Sequence, residues 1–213
     1  MRLKQLFIDT ETTGTYTETV GLYQFGGIIV AGKRGEEFEF NCDIFEEDDV
    51  DLKSLETNGI ILEEISQFPD PQQVFEQFIS VLDKYVDRYN PMDKFVVYGY
   101  GAKFDQQILR NWFYKLGDDY FGSWFWHPFV DIMNLAMYIK QGERGNLANF
   151  KMQTVADYLH IRTDKTRLHT ALYDAQIAKK IYKKLDSFIS LSRNADGNEK
   201  AHYYYGVDSD IPF

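Results

Sequence analysis

The sequence predicts an α/β protein with a mixed sheet and helices on both faces. Short strand-like apolar patterns crowd the first fifth of the chain, helical periodicities fill the rest, and an isolated strand pattern sits between them. Residues 3–9, LKQLFID, read as a short buried strand ending at the polar run Thr10-Glu11-Thr12-Thr13-Gly14. A second β-rich stretch covers about 19–31, with Gly26-Gly27 inside it. Gly32-Lys33-Arg34-Gly35 reads as a hairpin turn into 36–43, where Phe38 and Phe40 alternate with acids. The acidic stretch 46–69 has room for one or two short helices.

Pro71 is placed to open a helix, and Val74, Phe75, Phe78, Val81, Leu82, Tyr85 and Val86 recur at helical spacing as far as 89. Phe95-Val96-Val97-Tyr98 is a strand pattern, followed by helical stretches at 104–116, 132–139 and 152–160. The Gly- and Asn-rich stretch 141–149 and the charged stretch 162–167 read as loops. A long helix starts near Thr170, with Ala171, Ala175, Ala178, Ile181, Tyr182, Leu185 and Phe188 on one side. Lys179, Lys180, Lys183 and Lys184 lie mostly on the other. Composition shifts after Ser190, so 1–190 reads as one domain and 191–213 as a linker and acidic tail.

A hydrophobic fraction of 44% in 213 residues suffices for a buried core and sets global disorder aside. No stretch approaches the ~18 consecutive apolar residues of a membrane span, and the first residues lack the apolar run of a secretory signal. A single cysteine, Cys42, excludes an intrachain disulfide and a Cys-based zinc site. A cytoplasmic location is the plain expectation. The net charge of −10 argues against holding nucleic acid by broad charge neutralisation. It leaves room for a carboxylate cluster that binds divalent cations.

Asp9 and Glu11 lie two apart where a strand ends, so both side chains can point to one face. Two carboxylates held that close repel unless a proton or cation lies between them, and hard ions such as Mg²⁺ or Mn²⁺ suit the pair. Solvated strand-end acids are the competing reading. Asp105 adds a third carboxylate after a Gly-containing turn, with a helix N-cap as its alternative. In His169-Thr170-Ala171-Leu172-Tyr173-Asp174-Ala175 a helix starts just after the histidine, and its alanines let it pack close to a sheet. His169 is thus either a candidate general base or an ordinary surface histidine.

Taken together, FIDTETTG, YGYGAKFD and HTALYDA, in that order, resemble the three motifs of the DEDD exonuclease superfamily. The histidine spacing resembles its DEDDh subgroup, which includes replicase proofreading ε subunits and ribonuclease T. The resemblance spans roughly residues 3–186 and implies a ribonuclease H-like fold, a five-stranded mixed sheet flanked by helices. It implies that Asp9, Glu11, Asp105 and Asp174 hold two divalent metal ions, Mg²⁺ or Mn²⁺, with His169 as general base. Thr10, Thr12 and Thr13 match the stretch that shapes the pocket for a 3′-terminal nucleotide. The implied activity is metal-dependent 3′→5′ degradation of single-stranded DNA, of proofreading or repair type, releasing nucleoside 5′-monophosphates. The alternatives are a ribonuclease T-type exoribonuclease and a catalytically silent nucleic-acid-binding adaptor. A silent module has no physical need to keep repelling carboxylates.

One departure is that Tyr100 and Gly101 stand where the second motif usually has His-Asn. Tyr16, Tyr100 and Phe104 are candidates to stack terminal bases, with core packing the rival reading for Phe104. Arg162, Lys165 and Arg167 either hold phosphates or are solvated loop charge. Asp131 reads as a helix cap and Asp157 as a surface residue, and His127, His160 and His202 are assigned no role. The segment Asp208-Ser209-Asp210-Ile211-Pro212-Phe213 resembles the acidic tip of bacterial single-stranded DNA-binding proteins. That implies docking to a protein that binds such tips, through Asp208, Asp210, Ile211, Pro212 and Phe213. A disordered or self-packed tail is the competing reading.

Overall fold

Strands β1 (Lys4–Thr12), β2 (Leu22–Ala31), β3 (Arg34–Asn41), β4 (Val96–Gly99) and β5 (Val130–Asp131) form one sheet in the order β3-β2-β1-β4-β5. The computed structural model describes residues 3–164, 166–167 and 169–195, with side chains through 189. β1, β2 and β3 are antiparallel neighbours, whereas β4 runs parallel to β1 and β5 parallel to β4. The antiparallel half closes through the Gly32-Lys33 turn, where Gly32 takes the positive φ of 69° that such turns require. The parallel half needs long crossovers, and the helices supply them.

The helices are α1 (Leu52–Asn58), α2 (Leu62–Ile65), α3 (Pro71–Asp83), α4 (Lys103–Lys115), α5 (Phe121–Trp124), α6 (Ile132–Ile139), α7 (Met152–Tyr158) and α8 (Ala171–Ala195). Pro71 does open α3, and the Asp70 carboxylate before it accepts from the Gln72 and Gln73 N–H groups. Alternation along β1 sorts the core into two layers. Leu6 and Ile8 pack with Phe25, Phe78, Leu109 and Phe113 under α3 and α4. Phe7 faces the other way and packs with Ile28, Tyr98, Ile177 and Ile181 under α6, α7 and α8. Both faces are therefore covered, as a sheet with parallel crossovers requires. A small third cluster of Tyr23, Leu55 and Ile65 seats α1 and α2 at the end of the sheet where β1 finishes.

The five-stranded mixed sheet flanked by helices is the architecture expected. β1, however, runs on to Thr12, so Glu11 lies with Asp9 within the strand, paired to Gln24 as Asp9 is to Gly26, and not in a polar run beyond it. β5 has two residues, too few for any periodicity, and Asp131 both pairs with Gly99 and caps α6. The stretch read as a loop at 141–149 begins with a 3₁₀ turn, Gln141–Asn146. α3 stops at Asp83, six residues short of 89, although Val86 stays buried in the same core. α8 continues past Ser190 to Ala195. Lys165, His202 and the segment Asp208, Asp210, Ile211, Pro212 and Phe213 lie outside the described residues. Among the described residues no helix is long and apolar enough to cross a membrane.

Candidate active site

Asp9 and Glu11 share the α8-facing side of β1, because side chains two apart on a strand point the same way. Opposite Asp9 stands Gly26, and the missing side chain there admits the start of α8. A Cβ on Gly26 would lie 2.7 Å from Leu172 Cα. Neighbouring polar groups fix the same helix end: Ala171 N donates to Gln24 Oε1 at 2.9 Å and Leu172 N to Glu39 Oε1 at 3.1 Å. Ala171, Ala175 and Ala178 are buried against the sheet. Asp174, one turn in, is thereby delivered to the two strand carboxylates.

Asp105 arrives from the other layer. It is the third residue of α4, three past the Ala102 N-cap, and so lies within the first turn and not at the cap position. Its Oδ1 accepts from Thr10 Oγ1 at 2.7 Å. Its Oδ2 occupies the space a side chain on Gly99 would need, 2.9 Å from a Cβ built there. His169 precedes α8 with a left-handed φ of 65°, uncommon for a residue other than glycine. Its backbone N–H donates to Asp174 Oδ2 at 3.3 Å. The other oxygen, Asp174 Oδ1, is buried with no hydrogen-bond partner.

Glu11, Asp105 and Asp174 are buried, Asp9 is half-buried and His169 is exposed. Burial holds Asp9 well above the usual carboxylate range, and the charges of Asp105, Glu11 and Asp174 add to the effect. Burial, then Asp174 and Asp105, push Glu11 up to about 8. Burial raises Asp105 to about 7 against the opposing hydrogen bonds from Thr10. Burial also raises Asp174, against the His169 N–H. Such a cluster is stable only with shared protons or bound cations. Glu11, His169 and Asp174 each offer a ligand atom within 4.8 Å of the other two. With its orphaned buried oxygen, the oxygen-rich donor set fits a hard divalent ion.

A family model described as RNase T exonuclease matches residues 6–182. The chain belongs to the RNase T exonuclease family. It lies within the DEDDh-type superfamily. No curated protein sequence matches it. Solved structures similar to it include an apo exonuclease I (18% identity, TM-score 0.65), aligned over 90% of this chain and 45% of that one. Another is E. coli exonuclease I in complex with a dT13 oligonucleotide (19% identity, TM-score 0.67, 90% and 44%). A third is an exonuclease I complex with SSB-Ct (18% identity, TM-score 0.64, 90% and 44%). This exonuclease-family chain thus spans about half the length of the proteins it resembles in fold.

The threonines of its first motif are buried and used internally. Thr10 holds Asp105, and Thr12 Oγ1 donates to Gly14 O at 2.7 Å. Thr13, fully buried, donates to Asp49 O at 2.6 Å and accepts from Gly21 N at 2.9 Å. Asp51 N also donates to Thr13 O, which ties the α1 segment to the end of β1. That tie sets Asn58, a residue without a motif to reveal it. Asn58 Nδ2 donates to Glu11 Oε2 at 3.2 Å and to the Tyr23 hydroxyl at 2.9 Å. Between this segment and His169 lies a groove of about 480 Å³, lined by Tyr23, Asn58, Ile60, Phe68, His169 and Thr170.

Phe104 is half-buried and packs on the α3–α4 core. Tyr16 is 77% exposed. Tyr100 packs beneath α6–α8, and its hydroxyl donates to Phe150 O at 2.6 Å. Gly101 takes a φ of 82° in the turn after β4, and its N–H donates to Asp131 Oδ1 at 3.2 Å. The departure at the second motif therefore keeps a residue suited to a left-handed turn. Asp131 is the α6 cap expected, and Asp157 is exposed. Arg162 and Arg167 are exposed, the latter with its guanidinium 4.6 Å from the Tyr173 ring centre. Cys42 is buried and its thiol donates to Leu22 O.

Proposed function

We propose that this chain is a divalent-metal-dependent 3′→5′ exonuclease that trims single-stranded DNA and releases nucleoside 5′-monophosphates. The observation that carries the reading is the convergence of four raised-pKa carboxylates, one with an orphaned buried oxygen, beside His169 and Asn58, which also line the neighbouring groove. Asp9, Glu11, Asp105 and Asp174 would hold two divalent ions, which would supply charge neutralisation and Lewis-acid polarisation of the phosphate. The groove has the size of a small-ligand site and receives the terminal nucleotide. Asn58 and Thr10 keep the Glu11 and Asp105 carboxylates aimed at that centre.

His169, exposed at the mouth, takes a proton from the attacking water. An O–P bond forms as the P–O3′ bond breaks, the leaving 3′-oxygen takes a proton from solvent, and the shortened strand departs with a 3′-hydroxyl. The choice of DNA draws on the fold likeness to exonuclease I, which has been seen with dT13. Matched 5′-labelled DNA and RNA oligonucleotides test it. DNA shortened faster, one nucleotide at a time from the 3′ end, supports the reading. Faster loss of RNA replaces the substrate with RNA, and binding without cleavage of either strand replaces the enzyme with an adaptor.

A further inference from the structure

The carboxylate centre leaves unexplained a concentration of positive charge elsewhere on a chain of net charge −10. Between the end of α7 and the middle of α8 lies an open groove of about 560 Å³, lined by Ile161, Arg162, Lys180, Lys183, Lys184 and Ser187. The ion pairs among the described residues involve Lys4, Lys84, Lys115 and Lys140, and none involves these four cations. Asp157 accepts from Gln153, Asp164 accepts from Thr166, and Asp186 forms no ion pair. Lys180 and Lys184 are four apart on one helix face, a like-charge spacing that weakens a helix unless an anion lies between.

We propose that this groove binds the sugar–phosphate backbone of the substrate strand upstream of the end being cleaved; the inference rests on the exonuclease reading above. The helix that carries the groove also carries Asp174. Lys180 stands about 9 Å and Lys184 about 15 Å further along it at the α-helical rise per residue. A strand leaving the catalytic groove can reach these lysines within a few nucleotides. Arg167, beside His169, stands over Tyr173 on the same helix and continues the positive strip toward the catalytic end. The groove holds no carboxylate among its lining residues, so a polyanion meets no repulsion there. Without bases to read, the contact is independent of sequence and sensitive to salt.

The test is binding of labelled oligothymidylates of about 4 and about 16 nucleotides to the full chain, without divalent metal, across a salt series. The comparison is wild type against the triple variant K180Q/K183Q/K184Q, with thermal melting to confirm equal folding. The triple variant should bind the longer strand about tenfold more weakly, with a salt slope shallower by about 2, and the shorter strand unchanged. Equal affinity and slope for the longer strand overturn the proposal. So does a peptide of residues 199–213 that needs the three lysines while the oligonucleotide does not, since the groove then serves the acidic segment of the chain. A lysine-dependent slope in a protein that never cleaves keeps the groove and removes the exonuclease reading.

Discussion

Gly26 and Asp9 stand opposite one another across β2 and β1, and the bare glycine lets Leu172 sit against the sheet beside the carboxylate. The approach of α8 to the strand acids depends on that absence. Gly26→Ala places a Cβ against backbone that cannot swing aside, so the helix must move and carry Asp174 with it. Overpacking of this kind costs about 1–3 kcal/mol. Denaturant unfolding should register that loss, together with at least a tenfold fall in activity. A fully active, fully stable alanine variant would contradict the placement.

Thr10→Val keeps the shape of the side chain and removes the donor to Asp105. A hydrogen bond to a charged group contributes about 1.5–3 kcal/mol, so divalent-ion affinity should fall by about tenfold or more. Calorimetric titration with Mn²⁺ reads it directly. Unchanged affinity would show that Asp105 needs no help from Thr10.

Asn58→Ala removes the amide that touches both Glu11 and Tyr23. The turnover number should drop about tenfold while the salt dependence of strand binding stays as in wild type. An equal salt slope with lost turnover marks Asn58 as a positioning residue. Wild-type turnover would show that Glu11 is held without it.

The metal-free protein should be least stable at high pH. Glu11 is raised to about 8 and Asp105 to about 7, and Asp9 and Asp174 are raised as well. Each binds its proton more tightly folded than unfolded, where carboxyls titrate near 4. Their stabilising contribution is present below that value and is lost as pH climbs through about 7 to 8. Melting in a chelator should show a midpoint that falls across this window in wild type and falls less in Asp9→Asn. A steeper fall in the variant would reverse the assignment of repulsion.

Much of this was legible in the chain itself. The four strand patterns and the Pro71 and Ala171 helices depend on local periodicity and turn chemistry, and they are present. β5 escaped because two residues carry no period. β1 was read as ending at Asp9 because threonine and glutamate look polar, whereas burial against the α1 segment and pairing to Gln24 extend it. The motif acids could be named because chemistry constrains their type and order. Asn58 and Gly26 could not, since their importance arises only when distant elements meet. Phe104 and the threonines could be named but their surroundings could not, because core packing and internal hydrogen bonds depend on elements distant in the chain.

The proposed 3′-end cleavage stands or falls with the four carboxylates acting as a catalytic metal centre. The measurement that tests it most directly follows 5′-labelled single-stranded DNA with wild type and Asp9→Asn, with and without Mg²⁺, alongside thermal melting of both proteins. Wild type should give a Mg²⁺-dependent 3′-end ladder. Asp9→Asn should give none, and should melt at or above the wild-type midpoint without metal because one repelling charge is gone. A ladder of near-wild-type rate from Asp9→Asn, or one from wild type that ignores Mg²⁺, would contradict it.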